Sequence, residues 1–487
     1  MSPQSPARPA DGAVDLDAWL RWLETLSPTE IVLGLERVQA VLARLALPRP
    51  ARVVHVAGTN GKGSTAAMLE ALYRETGATV GCYTSPHVLR FNERMRVQGR
   101  PLPDADIVAA FERVDAARGD VPLTYFEFGT LAALVAFAAA GAGVLVLEIG
   151  LGGRLDAVNA IDPDGAIITN ISLDHCDWLG SDIESIAREK AGVMRGGIPV
   201  VFGAPSVPAA IAATAAERGA RLMLAGRDFR AVQAGEGWRF ESAAVVLDGL
   251  RPPSLGGAFQ RQNAAAALAL FIALEGPDRL TGAAVDAAFG SLALPGRLQR
   301  LATSHDWLLD VAHNPGAAAV LADWLREHPP RGRVTAVFGA LADKDLNGML
   351  QPLAGVVQRW IAVPADSPRA AGAVTLGARI AGVTGRPCRI ADGIADGLAM
   401  AAAHAGGDDL LLVTGSFYTV GPALAVLLGP GVGAASVGTD SAAADSAAGD
   451  SAGADSVTTD TVTTDSVGAA SSRDQGPVAA GSRSYEG

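Results

Sequence analysis

The chain has 487 residues, of which 49% are hydrophobic and 18% charged, and its mean hydropathy is +0.25. This composition is typical of a globular chain that is large enough for more than one domain. The net charge of −12 argues against general nucleic-acid or anionic-membrane binding, and the three scattered cysteines argue against a disulfide framework, so we expect a cytoplasmic protein that binds small molecules.

The first informative segment is a predicted strand, Arg52–Ala57, that runs into the glycine-rich turn Gly58–Gly63 and then into an alanine-rich helix. Inward-facing N–H groups, the positive end of the helix and the cation of Lys62 together favour phosphate. We therefore predict that nucleotide phosphates bind at Gly61, Lys62, Gly63 and Ser64. Gly63 separates the lysine from the hydroxyl, unlike the usual phosphate loop, and a turn that merely joins strand to helix is the alternative.

A second segment combines a continuous apolar strand, 143–147, with a carboxylate and another glycine-rich turn. Glu148 stands at the carboxyl end of this strand, which is the edge of a parallel sheet at which ligands bind. Because hard oxygen ligands suit Mg²⁺, Glu148 is predicted to hold a magnesium ion on the β and γ phosphates, with helix capping as the alternative. Asp156 stands where a dinucleotide site needs its third glycine, which argues against a dinucleotide.

The next predicted strand, 166–170, again ends in polar residues. His175 lies there between two aspartates and predicts a second cation or phosphate site, with a structural histidine as the alternative. Helices are predicted over 126–140 and 183–194. Strands and helices therefore alternate along the chain, which is typical of a parallel α/β fold.

A second series of alternating strands and helices follows Arg297, and we place a domain boundary there. Its strands are predicted at 307–311, 333–338, 360–363 and 409–414. Residues 18–297 and 298–430 are therefore expected to form two α/β domains, after a flexible N-terminus over 1–17. Residues 431–487 contain no Leu, Ile, Phe or Lys and are predicted to be a disordered acidic tail of mainly Ala, Ser, Asp and Thr.

A series of short segments, in order, resembles the folylpolyglutamate synthase and dihydrofolate synthase family of Mur-ligase-like amide ligases. These segments are 58–64, 85–87, 91–94, 124–127, 147–159, 169–174, 189–192, 295–297, 310–315, 343–345 and 415–417. The amino-acid sequences of segments 310–315 and 415–420 are most similar to those of the bifunctional bacterial enzymes. The resemblance implies an N-terminal phosphate-loop, Mur-ligase-like ATP-binding domain and a smaller C-terminal Rossmann-like ligase domain.

The resemblance implies ATP-dependent amide formation in folate metabolism. A substrate carboxylate would attack the γ-phosphate of ATP, and the amine of L-glutamate would then displace phosphate from the acyl phosphate. Dihydropteroate and reduced folates are the implied acceptors. ATP and two Mg²⁺ ions are the implied cofactors, and we expect a monomer with no nucleic-acid or membrane partner.

The resemblance also implies a role for each matching residue. Catalytic roles fall to Lys62, His175, Lys190 and His313, and further ATP contacts to Asn263, Arg297 and Asp310. Ser85 and Glu148 would hold one Mg²⁺ and His175 a second, and Lys190 would carry a carbamate. The pterin would contact Thr124, Tyr125, Phe126, Glu127, Leu155, Asp156 and Ala157, for whose apolar members a place in the core is an equal alternative.

Two other functions stay open at this point. A Mur-type ligase of peptidoglycan precursors would share the ATP chemistry but should lack the segments 85–94 and 124–127. A nucleotide-controlled binding module would have no ligase chemistry, and the presence of Glu148, His175 and Lys190 argues against it. Because Arg297 lies at the boundary and Asp310 beyond it, we expect that the two domains must close to complete the site and exclude water.

Overall fold

The computed structural model describes residues 8–10, 12–26 and 33–429, and the predicted tail over 431–487 lies outside them. Helices α1 (Leu16–Leu26) and α2 (Glu36–Leu45) precede the first strand. Leu16 and Asp17, which we assigned to a flexible terminus, belong to α1, because the apolar face of this helix, including the fully buried Trp19, packs in the core. No helix within the described ranges is long and apolar enough to cross a bilayer.

Strands β1 to β11 and helices α3 to α10 follow up to residue 290. The elements are β1 (Arg52–Ala57), α3 (Lys62–Glu75), β2 (Val80–Tyr83), β3 (Met95–Val97), β4 (Arg100–Pro101), α4 (Asp104–Arg118), α5 (Tyr125–Ala139), β5 (Val144–Glu148), β6 (Gly165–Ile168), α6 (Cys176–Leu179), α7 (Ile183–Lys190), β7 (Pro199–Phe202), α8 (Ala209–Arg218), β8 (Arg221–Leu224), β9 (Phe229–Ala234), β10 (Gly237–Ser242), β11 (Val246–Leu250), α9 (Ala258–Glu275) and α10 (Gly282–Gly290).

Strands β1 to β8 form one sheet in the order β4-β3-β2-β5-β1-β6-β7-β8. Neighbours pair in parallel, except that β3 is antiparallel to both β2 and β4. Along β1, Val54 and Val56 belong to a buried cluster with α3 and α9, whereas Val53 and Ala57 belong to a cluster with α4 and α5. Helices therefore cover both faces, which explains why the strand sequences are continuously apolar.

The position of β1 between β5 and β6 builds the functional edge of this sheet. A crevice opens at the carboxyl ends of parallel strands where the chain connections diverge. Gly58 follows β1, Glu148 ends β5 and Thr169 follows β6. The sheet order thus brings together motifs that lie far apart in sequence.

A small antiparallel sheet, β11-β10-β9, packs its buried Trp238 and Phe240 into the cluster of α9. These strands were not predicted, because polar side chains interrupt their apolar positions and no continuous apolar run marks them. The pairing of β10 with β11 is irregular, with a register shift between Trp238 and Phe240, whereas β10 and β9 pair regularly.

The remaining elements form a six-stranded sheet in the order β12-β13-β17-β14-β15-β16, parallel except for the edge strand β12. They are β12 (Gln299–Ala302), β13 (Asp306–Asp310), α11 (Pro315–Glu327), β14 (Val334–Phe338), α12 (Leu346–Leu353), β15 (Arg359–Ala362), α13 (Ala373–Thr384), β16 (Cys388–Ile390), α14 (Ile394–Ala402), β17 (Leu410–Thr414) and α15 (Phe417–Leu428). Because this sheet begins just after Arg297, we keep the proposal of a domain boundary there.

The mixed α/β fold class is confirmed, and the predicted strands lie within two residues of the observed ones. The helix predicted over 183–194 is different, since α7 ends at Lys190 and a 3-10 turn covers Ala191–Val193. The cause is close packing: a Cβ on Gly192 would lie 2.5 Å from the Cα of Arg154.

Candidate active site

A cavity of about 400 Å³ is lined by residues that belong to both large sheets and their loops. It brings together most residues chosen from the sequence: Gly61, Lys62, Gly63, Ser64, Ser85, Thr124, Tyr125, Phe126, Glu127, Glu148, Leu155, Asp156, Ala157, His175, Asn263, Arg297, Asp310 and His313. Lys190 is not in this lining, and its Nζ donates a hydrogen bond to the carbonyl of Gly58 at 2.9 Å.

Glycines give the phosphate-binding turn its shape. Gly61 has a φ of +83° directly before α3, in the left-handed region that favours glycine. Gly58 lies against the end of β6, where a Cβ would stand 1.9 Å from Thr169 Oγ1. Because Gly61 to Ser64 line the cavity, the N-terminal end of α3 is available to an anion there.

Helix α9 is tied to this turn by a short chain of side-chain hydrogen bonds. Asn263 Nδ2 donates to Gln260 Oε1 at 3.0 Å, and Gln260 Nε2 donates to Ser64 Oγ at 3.2 Å. Within the turn, Lys62 Nζ donates to the carbonyl of Thr59 at 3.2 Å. The lysine is thus held near the turn that it would serve.

Glu148 is a buried carboxylate that accepts a hydrogen bond from the backbone N–H of Ser85 at 2.9 Å. Burial raises the pKa of Glu148, and the opposing effects of Lys62 and the Ser85 N–H do not cancel that rise. A cation beside the carboxylate would compensate for its lost hydration. Glu148 is therefore suited to a charged ligand.

Ser85 and Glu148 carry oxygen atoms of the kind that Mg²⁺ prefers, and both line the cavity. Mg²⁺ usually takes one or two protein oxygens and completes its shell with water and phosphate. In the part of the chain that the structure describes, no group of three or more His, Cys, Asp or Glu side chains could hold a metal. An ion at Glu148 would therefore need oxygens from water or from a phosphate in the same cavity.

Lys190 ends α7 in a buried position. Burial lowers the pKa of Lys190 to about 7, the charge of Lys62 adds to this effect, and Asp174 and Asp156 oppose it. The glycine turn 150–153 fixes the position of the lysine, since a Cβ on Gly153 would lie 2.8 Å from its carbonyl oxygen. Much of the amine is therefore neutral near pH 7, and a neutral amine is nucleophilic.

His175 precedes α6 with a φ of +52° and lines the cavity. Burial lowers the pKa of His175 to about 3, although the charge of Asp174 opposes this. The imidazole is therefore neutral at physiological pH. A neutral imidazole is the form that ligates metal ions.

Asp174 joins the two large sheets. Its carboxylate accepts hydrogen bonds from Lys344 Nζ and from Asn314 Nδ2, both at 3.0 Å. Burial alone would raise the pKa of Asp174, but the contact with His313, whose Nε2 lies 3.6 Å from Asp174 Oδ2, and the charge of Lys344 hold that pKa well below its usual range. Asp174 is therefore ionised.

Arg297 and Asp310 bring one cation and one carboxylate from the second sheet region into the cavity. The carboxylate of Asp310 accepts from the N–H groups of Leu298 and Ala312, both at 2.9 Å. Burial raises the pKa of Asp310 and lowers that of Arg297, and each group opposes the shift of the other. The guanidinium of Arg297 also lies 5.0 Å from the centre of the Phe417 ring.

The polar members of the segment 124–127 fix the start of α5. Thr124 Oγ1 accepts from the N–H of Glu127 at 3.2 Å, and Glu127 Oε2 accepts from the N–H of Thr124 at 2.8 Å. This is a capping box. Glu127 also forms an ion pair with Arg37 at 2.7 Å. Both carboxylate oxygens of Glu127 thus have protein partners, so this residue shapes the cavity wall.

Tyr125 and Phe126 give the wall aromatic surface. The hydroxyl of Tyr125 is buried and has no hydrogen-bond partner among the described residues. Phe126 packs over Gly150, where a Cβ would lie 2.5 Å from the ring. A flat aromatic ligand with polar edges fits such a wall.

Asp156 lies between Leu155 and Ala157 in the cavity lining. It accepts from the N–H groups of Leu151 at 2.8 Å and Val158 at 3.0 Å, which fixes the turn after β5. Burial raises the pKa of Asp156 to about 6. This carboxyl group can therefore exchange a proton close to neutral pH.

Four residues were not predicted as site residues although each stands inside one of the segments given above: Asn60, Asp174, Asn314 and Lys344. Asn60 and Asn314 exchange hydrogen bonds through their side-chain amides at 2.9 and 3.2 Å. Their position within the motifs was the available signal. Amides carry no charge, and the partners are far apart in sequence, so nothing in the sequence pairs them.

Two family profiles match the chain. The Mur ligase middle domain matches residues 56–271, and the Mur ligase, glutamate ligase domain matches residues 296–417. The dihydrofolate synthase/folylpolyglutamate synthase of Escherichia coli (strain K12) is 43% identical over 423 residues, which cover 86% of this chain and 97% of that protein. The protein of the same name from Haemophilus influenzae is 36% identical over 432 residues, which cover 85% of this chain and 97% of that protein.

Solved structures resemble the chain over a similar length. Escherichia coli FolC in complex with DHPP and ADP has a TM-score of 0.81 at 42% identity, covering 86% of this chain and 99% of that chain. A bifunctional folylpolyglutamate synthase/dihydrofolate synthase with Mn, AMPPNP and L-glutamate bound has a TM-score of 0.80 at 42% identity, covering 87% of this chain and 100% of that chain.

Proposed function

We infer the function from this premise: the chain belongs to the Mur ligase family, in the branch of the dihydrofolate synthases and folylpolyglutamate synthases, and is an ATP-dependent ligase. We propose that it joins L-glutamate to dihydropteroate, giving dihydrofolate, and to reduced folates, extending a γ-linked chain. The cavity carries this proposal, because a phosphate-binding turn, a buried carboxylate and an aromatic wall meet in it. The ligands of the related structures, DHPP with ADP and AMPPNP with L-glutamate, support it.

Each turnover would make one amide bond and convert one ATP to ADP and phosphate. The carboxylate of the pterin substrate attacks the γ-phosphorus, and the bond to the bridging oxygen breaks as ADP leaves. The glutamate amine then attacks the acyl carbon, phosphate leaves with the C–O electron pair, and the nitrogen loses a proton. No covalent bond to the protein forms, so positioning and charge supply the catalysis.

The chain's own groups have distinct tasks in this scheme. Gly61, Gly63, Ser64 and the cation of Lys62 would hold the phosphates. The rest of the nucleotide would be held by Asn263, Arg297 and Asp310. His313 would lie beside the reacting groups. Ser85 and Glu148 would hold one Mg²⁺, and the neutral His175 a second. When bound, the ions would offset the negative charges of the phosphates and the carboxylate, which repel each other.

We also propose that Lys190 reacts with CO₂. The neutral amine would attack the carbon, form a carbamate and release a proton, and its pKa of about 7 makes enough neutral amine available. The carbamate would place a negative charge near the positive charge of Lys62, whereas the protonated amine places a second positive charge there. Carbon-13 NMR of protein equilibrated with labelled bicarbonate should show a carbamate signal that the Lys190→Met variant lacks, and an equal signal in the variant would contradict the assignment.

The test of the main proposal is phosphate release from ATP with Mg²⁺ and L-glutamate, with product mass checked for an added glutamate. Dihydropteroate, tetrahydrofolate and a peptidoglycan-precursor nucleotide are compared as acceptors. Phosphate release with both pterins supports a bifunctional ligase. Phosphate release with only one pterin supports a ligase that acts on that pterin alone. Release with the precursor nucleotide alone would point to a Mur-type ligase, and none with any acceptor would point to a binding module.

We propose that the protein acts as a monomer. Both large sheet regions of the chain contribute residues to the cavity, so the predicted site residues meet without a second subunit. Light scattering after size-exclusion chromatography should therefore give the mass of one chain, 49.5 kDa, with and without nucleotide. A dimer mass would contradict this part of the proposal.

A further inference from the structure

A buried polar network joins the two large sheet regions beside the phosphate-binding turn. Asp174 accepts from Lys344 Nζ and from Asn314 Nδ2, both at 3.0 Å. Asn314 Nδ2 also donates to Asn60 Oδ1 at 2.9 Å, and Asn60 Nδ2 donates back to Asn314 Oδ1 at 3.2 Å. The side chains of Asp174 and Lys344 are only 7% and 9% exposed. We call Asn60, Asp174, Asn314 and Lys344 the latch.

The latch connects points that are fixed on each side. The backbone N–H of Asn60 donates to Asn170 Oδ1 at 3.1 Å, and its carbonyl accepts from Thr169 Oγ1 at 2.7 Å. On the other side, Asn314 Oδ1 accepts from the N–H of Ala317 at 2.9 Å and so caps α11. The latch therefore sets the position of α11 relative to the phosphate-binding turn.

The cavity depends on that relative position. His313 directly precedes Asn314, Asp310 lies at the end of β13, and both line the same cavity as Lys62. Shifts of about 1 Å in the placement of reacting groups lower enzymatic rates strongly. A buried carboxylate that loses its cation is also left uncompensated, so the Asp174–Lys344 pair favours the docked arrangement only when both members are present.

We propose that Asp174 and Lys344 are positioning residues, and that the latch holds the second sheet region against the phosphate-binding turn during the ligase reaction. This inference rests on the proposed function for its kinetic readout. Its structural readout, the compactness of the protein with a nucleotide bound, does not depend on ligase activity. The two readouts separate a failure of the latch from a failure of the proposed function.

The experiment compares Lys344→Met, Asp174→Asn and the double variant with the wild type. Each single variant should lower kcat by about tenfold or more, which corresponds to about 1.4 kcal/mol. The double variant should be no slower than the slower single variant, because both remove the same contact. With AMPPNP bound, the radius of gyration from X-ray scattering should be larger in each variant than in the wild type.

Two control variants make the test specific. Lys344→Arg keeps the cation and should recover kcat to within about threefold of the wild type. Arg52→Met breaks an ion pair with Glu275 of 2.8 Å at the opposite end of β1 and should leave kcat and the radius of gyration unchanged. An unchanged kcat in Lys344→Met, losses that multiply in the double variant, or a lower kcat without any change in compactness would each overturn the inference.

Discussion

Replacing Lys190 by methionine is expected to stabilise the protein while abolishing its activity. Burial lowers the pKa of Lys190 from 10.5 to about 7. The unfolded chain therefore binds a proton at this site more readily than the folded one, so wild-type stability should rise as the pH rises from 7 towards 10.5. The protonated lysine costs the folded state about 5 kcal/mol below pH 7, and about 4 kcal/mol at pH 7.

Methionine removes this cost but also removes one hydrogen bond. The carbonyl of Gly58 loses its donor, which lies 2.9 Å away in the wild type. A buried carbonyl without a partner costs about 1–3 kcal/mol. The variant should therefore be more stable than the wild type by about 2 kcal/mol at pH 7, and by about zero at pH 9, where the folded lysine is already neutral.

Urea unfolding of both proteins at pH 7 and pH 9 measures this difference, in CO₂-free buffer so that the amine carries no carbamate. Arg188→Met, at an exposed position of the same helix, is the matched control and should change neither value. Phosphate release by Lys190→Met should be lost. A variant that is less stable than the wild type at pH 7, or a difference that does not shrink by pH 9, would refute the reasoning.

Further predictions concern the phosphate site, a buried histidine and the tail. Glu148→Gln should abolish Mg²⁺-dependent phosphate release without lowering Tm, because burial already raises the pKa of this carboxyl. Gly61→Ala, which combines a φ of +83° with a Cβ 3.0 Å from Asn263, should raise the KM for ATP, whereas Gly77→Ala, with a φ of +78° and open space, should not. Both ring nitrogens of His55 are buried without a partner in the described ranges, and burial lowers its pKa to about 3, so wild-type stability should fall as the pH drops from 6.5 towards 3. Urea unfolding of His55→Leu should lack this fall, which amounts to about 2 kcal/mol at pH 5. Truncation after Pro430 should leave phosphate release unchanged, and a large loss would show that the tail contributes.

The sequence determined the main elements because their signals are local. A continuous apolar strand followed by a glycine turn, as at Arg52–Ala57, is decided by residues that are neighbours in the chain. Where tertiary packing intervenes, the prediction was wrong: α7 ends at Lys190 because Gly192 must pass close to Arg154. The sheet β9–β11 was missed because its strands alternate buried apolar and outward polar residues and so lack the continuous apolar run of the buried strands.

The residue types of the site could be chosen from the sequence, but their electrostatic states could not. The glycine-rich turn by itself predicts a phosphate site. The place of Glu148 after a strand predicts a magnesium ligand. The low pKa of Lys190 exists only because folding buries the amine near Lys62, more than a hundred residues away in the chain. Likewise, only the docking of the second sheet region pairs Asn60 with Asn314 and Asp174 with Lys344. Neighbouring residues in the chain determine the local signals. Desolvation and long-range pairing depend instead on the segments that the fold brings into contact.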